Sequence, residues 1–145
     1  MSSLAEETAV LTFTAAGTAS STPLVTSYVS AANAGRALLI ARLGDMASET
    51  IDVAIYQGQG GSTNAKALKA ATQIAASASA NDNKYVVIGV DLNDLDVDGG
   101  YTHIAGRIVT GGATGGTCSM VVLAGDLRFG PASVIDSTDV ISITP

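Results

Sequence analysis

The chain has no tryptophan, one cysteine, one histidine, two phenylalanines and three prolines among its 145 residues. Each scarcity excludes something. A single cysteine cannot close an intramolecular disulfide, so the fold must be held by packing and hydrogen bonds, and no oxidising compartment is implied. One histidine and one cysteine cannot supply a zinc cluster of His and Cys ligands. Aromatics make up 4% of the chain, and Tyr28, Tyr56, Tyr85 and Tyr101 are dispersed, so no stacking platform for bases or sugars stands out. Charged residues reach only 14%; the seven Lys and Arg are scattered and the net charge is −6. That balance argues against a nucleic-acid backbone as partner. No apolar run approaches the ~20 residues that span a bilayer. The opening MSSLAEETAV carries acids where a signal peptide needs an apolar core. The expectation is a protein made and folded in a cytoplasm, with neither nucleic acid nor membrane as partner.

What is abundant is small and apolar. Hydrophobic residues reach 47%, mostly Ala, Val, Ile and Leu, and the length suits one domain with a proper core. A surface this weakly charged predicts that part of it is hidden against partners, as in an oligomer or an assembly component.

Residues 1–8 read as a flexible polar arm, residues 9–145 as one β-sandwich domain, and the stretch from about 134 as a C-terminal arm. The first strand is expected at 10–15 (VLTFTA), with Leu11 and Phe13 on one face. A second follows Pro23 (LVTSYVS). Residues 36–43 (RALLIARL) are apolar on both faces in the middle and read as a buried strand or a short helix. In TIDVAIYQ, Ile51, Val53 and Ile55 face inward. Residues 65–78 combine helix-favouring alanines with an alternation of Leu68, Ala70, Thr72 and Ile74; the extended form is expected for 66–75. A turn is expected at residues 81–83 (NDN). Val86, Ile88, Val90 and Leu92 share a face, but Leu95 and Val97 have the opposite parity. A one-residue slip turns every side chain over, so a bulge is expected at Asn93 and Asp94. In YTHIAGRIV, Ile104 and Ile108 face in and His103 and Arg107 face out. GGATGG reads as a hairpin tip, CSMVVLA buries Cys118, Met120 and Val122, and VISI near the end reads as a last strand. The whole predicts an all-β fold: a β-sandwich or jelly roll of about eight short antiparallel strands, with at most one short helix.

Residues 84–129 gather the chemistry. Asp94, Asp96, Asp98 and Gly99 match the front half of a calcium loop. The twelfth loop position, where a bidentate Glu belongs, is Ala105. The alternative is a strand edge with a solvated acidic face, and no metal site is expected beyond that weak trio. His103 has no nucleophile elbow to serve, and Cys118 reads as packing. The glycine loops at 58–63 and 111–116 lack the lysine of a phosphate loop. No catalytic constellation and no cofactor site emerges, so the protein is expected not to be an enzyme. Tyr101, His103 and Arg107 are the expected docking face.

From Asp82 and Asn83 onward, the order of features resembles small β-rich structural proteins of tailed bacteriophages, encoded near the major capsid gene. The matching positions are Leu95, Asp96 and Val97, then Gly100, Tyr101 and His103, then Val121, Val122, Leu123, Gly125, Asp126, Arg128, Phe129 and Pro131. Leu127 departs from the pattern, which often has proline there. The resemblance implies a virion component on the capsid exterior, assembled in the host cytoplasm. It implies a decoration or cement protein, a homo-oligomer with a trimer favoured, bridging major capsid subunits. A head-fibre base, a neck or tail component, or a β-sandwich ligand- or glycan-binding module are the alternatives.

Overall fold

The computed structural model describes residues 7–128. The expected arms and the expected VISI strand lie outside them, apart from residues 7 and 8. The strands are β1 (Ala9–Phe13), β2 (Gly17–Ala19), β3 (Leu24–Val25), β4 (Val29–Ser30), β5 (Arg36–Met46), β6 (Ile51–Gln59), β7 (Thr63–Ala70), β8 (Tyr85–Asp91), β9 (Tyr101–Thr110) and β10 (Gly116–Gly125). They form two antiparallel five-stranded sheets. Sheet A runs β1-β10-β5-β8, with β2 also on β10; sheet B runs β3-β9-β6-β7, with β4 also on β9. The all-β sandwich is as expected, although β5, β9 and β10 have 11, 10 and 10 residues and are not short.

The core lies between the sheets. Leu39, Leu43 and Val122 enter from sheet A and Ile51, Val53, Ile55, Ile104 and Ile108 from sheet B, all fully buried. Each such side chain contributes about 1.5–3 kcal/mol by leaving water. The sheets approach closely at Gly106, where an added Cβ would sit 2.8 Å from Leu39 Cδ1 and 3.2 Å from Met120 Sδ. Only glycine leaves room there for the leucine and methionine opposite.

Residues 36–43 are strand, because β10 and β8 pair with β5 along both edges. Pairing also overrides the alanines of β7, which lies antiparallel to β6. Ile74 then bridges Ile51. Leu68 and Ile74 are half-buried while Ala70 and Thr72 are exposed.

Four local expectations fail. The strand expected after Pro23 is broken into β3 and β4, which pair separately with β9. Phe13 does not share the inward face of Leu11: the register with β10 slips between Val10 and Thr12, so Thr12 is buried and Phe13 is 48% exposed. The parity switch near Asn93 is real, but no strand follows it. Residues Leu92–Asp94 form a 3₁₀ turn whose start is capped by the Asp91 side chain, and a tight turn at 97–100 leaves Val97 exposed. Finally, GGATGG is no hairpin tip. It carries the chain from β9 in sheet B across to β10 in sheet A.

Candidate interaction surface

The acidic trio is spread over those two turns instead of lining a strand edge. Asp96 is committed internally: Oδ2 pairs with Lys66 Nζ at 2.6 Å, Oδ1 accepts from the Gly99 N–H, and its own N–H donates to Gln57 Oε1. The Lys66 hydrogen bond, then the Gly99 N–H, holds its carboxyl below the usual aspartate range. Asp94 and Asp98 are exposed. Among the described residues, no three His, Cys, Asp or Glu side chains come together as a metal site.

Tyr101, His103 and Arg107 lie on the outer face of sheet B, as the parity predicted, but that face covers much of itself. Tyr101 is only 8% exposed. Its ring sits 4.3 Å from Lys66 Nζ and its hydroxyl donates to the Asn64 carbonyl, so it fastens β9 to the β6–β7 hairpin and is not a free docking residue. His103 is half-buried with Nδ1 2.9 Å from Thr102 Oγ1. Arg107 is half-buried, stacked 4.8 Å from the centre of the Tyr56 ring and donating to its hydroxyl. Ala105, between them, is fully buried. Tyr28 packs nearby, and burial raises its hydroxyl pKa above the usual value. A groove of about 290 Å³ remains beside Arg107, floored by Ala54, Ala67, Ala70 and Ala71 and edged by Asp52, whose carboxylate accepts from Gln73.

Cys118 is buried on the inner face, where desolvation pushes its thiol pKa up. A thiol so placed is unreactive packing. The glycine-rich crossover is fixed by Glu49, a residue without any motif to announce it. Its carboxylate accepts from the Thr110 hydroxyl at 2.8 Å and from the N–H groups of Thr114 and Gly115. These bonds, the Thr110 hydroxyl foremost, hold its pKa below the ordinary glutamate value.

The outer face of sheet A is different. Strand pairing sets its side chains in cross-strand rows: Phe13, Val121, Ile40 and Val87 form one, and Val10, Leu123, Leu38 and Gly89 the next. Phe13, Val87 and Val10 are among the most exposed large apolar residues of the described chain, Val87 at 59%. Leu38, Ile40, Val121 and Leu123 are half-buried only by one another's company, since they stand on the side away from the core. Polar residues close the face at both ends. At one end Arg42 stacks on Tyr85 and donates to its hydroxyl at 3.0 Å. At the other, Arg36 pairs with Asp126 at 2.6 Å beside Asp91. Along the free side of β8, Lys69 from β7 donates to the Gly89 carbonyl. A lysine at that place blocks edge-to-edge strand addition. The parity argument had marked the other sheet's face. What would have pointed here was the unbroken apolar run on β5, β8 and β10.

Comparison with known proteins returns no match: no family model, no curated sequence and no solved structure is similar to the chain.

Proposed function

We propose that this chain is a structural virion protein, of the capsid decoration or cement kind, that stabilises a tailed-phage head by bridging major capsid subunits. The observation that supports this reading is the apolar outer face of sheet A. Isolated monomers rarely expose contiguous apolar patches beyond a few hundred Å², and a face of this kind is the surface an assembly would cover. The few charges of the chain and the resemblance that begins at Asp82 and Asn83 point the same way. The body is a rigid sandwich carried to the capsid exterior, and its working parts are surfaces and not reacting groups.

The test is co-sedimentation of the purified chain with tailed-phage heads that carry the matching capsid protein and lack this one. Saturable, stoichiometric binding that raises the temperature at which the heads open is the expected result. Heads that sediment without it would sink the proposal. The groove beside Arg107 favours a second reading, a ligand-binding module for an acidic small molecule or glycan. One face of Tyr56 is already taken by Arg107, which leaves little ring for a sugar to stack on. A glycan array with specific, saturable hits lost in Arg107→Ala would favour that reading instead.

A further inference from the structure

Resting on the assembly reading, we infer that the outer face of sheet A is covered by the same face of a second copy of this chain, related by a two-fold axis that crosses the strands.

The dimensions point to a sheet as the cover. Strands about 4.8 Å apart and about 3.4 Å of rise per residue make the face on the order of 20 Å by 20 Å. An added peptide strand, about 5 Å wide, would leave most of it wet, whereas a second sheet of equal width covers it at the ~10 Å spacing of stacked sheets. On the order of 400 Å² of projected area, with the polar rims and side-chain relief added, approaches the lower end of the roughly 600–1,000 Å² that each partner gives to a specific interface. A weak, concentration-dependent dimer is expected, and not an obligate one.

The charges select the orientation. Arg42 has no carboxylate partner among the described residues; its guanidinium meets only Tyr85. Asp91 has no cationic partner among them; its carboxylate accepts only from the Asn93 N–H. These two lie at opposite ends of the face, because Arg42 is paired with Tyr85 and Asp91 with Arg36 in the register of β5 and β8. A two-fold axis along the strands would set Arg42 against Arg42. An axis across the strands lays β8 on β8, so the Arg42 guanidinium, which rests on the Tyr85 ring of β8, comes over Asp91 of the other copy, twice, with the apolar rows between. Arg36 beside that Asp91 is already paired with Asp126. An isologous contact of this kind closes on itself. The favoured trimer would require a different surface.

Sedimentation equilibrium over the micromolar range tests this. The expected outcome is a monomer–dimer equilibrium that Ile40→Asp abolishes while the monomer still unfolds in one cooperative transition. Val87→Lys, at a more exposed position, serves as the second variant should Ile40→Asp unfold. Arg42→Asp should weaken the dimer about tenfold or more, since it sets like charges together, and Arg42→Asp with Asp91→Arg should restore it. A monomer at every concentration, a trimer, a dimer indifferent to both apolar variants, or a double variant no tighter than the single would each overturn the inference. Head binding is scored separately. A monomer that still coats heads refutes only the two-fold contact, and a dimer that never binds heads refutes only the virion role.

Discussion

Truncating Leu39 should produce the clearest single loss of stability in the molecule, and Gly106 should recover part of it. Leu39 is fully buried in sheet A and faces Gly106 of sheet B. Leucine-to-alanine changes cost about 3–5 kcal/mol, the upper end applying where the site cannot collapse. Here both walls are hydrogen-bonded sheets and the residue opposite has no side chain to swing in, so about 4 kcal/mol is expected for Leu39→Ala. With a urea slope of about 2 kcal/mol per M, the midpoint falls by about 2 M. Gly106→Ala alone is overpacked, since its Cβ would lie 2.8 Å from Leu39 Cδ1, and costs about 1–3 kcal/mol. In the Leu39→Ala background the same methyl enters the cavity, so the double variant should be about 2 kcal/mol more stable than the sum of the singles predicts. Urea titrations of the four proteins, followed by far-ultraviolet circular dichroism, supply the cycle. If the two effects add within about 0.5 kcal/mol, the residues do not meet across the sandwich and the packing described is wrong.

Two further outcomes follow from the turns. Glu49 has a lowered pKa in the folded chain, so its stabilisation is present above the ordinary glutamate value and is lost as pH falls through the folded one. Glu49→Gln should therefore melt below the parent at neutral pH, and the gap should close in acid; a gap independent of pH would refute the role given to its carboxylate. Calcium at millimolar concentration should leave the melting temperature unchanged, because Asp96 is already held by Lys66 and the Gly99 N–H; a rise abolished by Asp94→Asn would restore the acidic trio as a metal site.

The architecture was legible because burial on strands follows parity. Ile51, Val53 and Ile55, then Ile104 and Ile108, then Met120 and Val122, are buried as their alternation requires. Alternation failed where one residue changed the count. The slip beside Leu11 turned Phe13 outward, and nothing in VLTFTA marks it. At Leu95 and Val97 the parity switch was visible, but alternation continues equally well through a strand or a turn. What decided between them was Asp96, whose carbonyl accepts from the N–H groups of both Gly99 and Tyr101. Tyr101 was misjudged for a related reason. Parity gives the side of the sheet, but not whether Lys66 on a distant hairpin lies over it. Glu49 could not be found from spacing at all, since its partners lie more than sixty residues away.

The composition of three neighbouring strands of sheet A bears on what covers them. An antiparallel strand with one face in water alternates apolar and polar residues, while a strand covered on both faces reads as a continuous apolar run. β6 breaks its apolar run on the outer side with Asp52 and Tyr56, with the small Ala54 between them. By contrast β5 carries ALLIA, β8 carries VVIGV and β10 carries MVVLA, all apolar at consecutive positions. These strands lie side by side in sheet A. Among the described residues only one of their faces has cover, yet both are built as if buried. A surface under no demand but solubility would have Ser, Thr or Lys at Leu38, Ile40, Val87 and Leu123, at no cost to the core behind them. With the proposed two-fold contact, sheet A becomes an inner layer of a four-layer stack, two of whose layers the described residues provide. A second copy supplies both missing layers at once, and Ile40→Asp is the substitution that separates the requirement for that cover from the requirement for the fold.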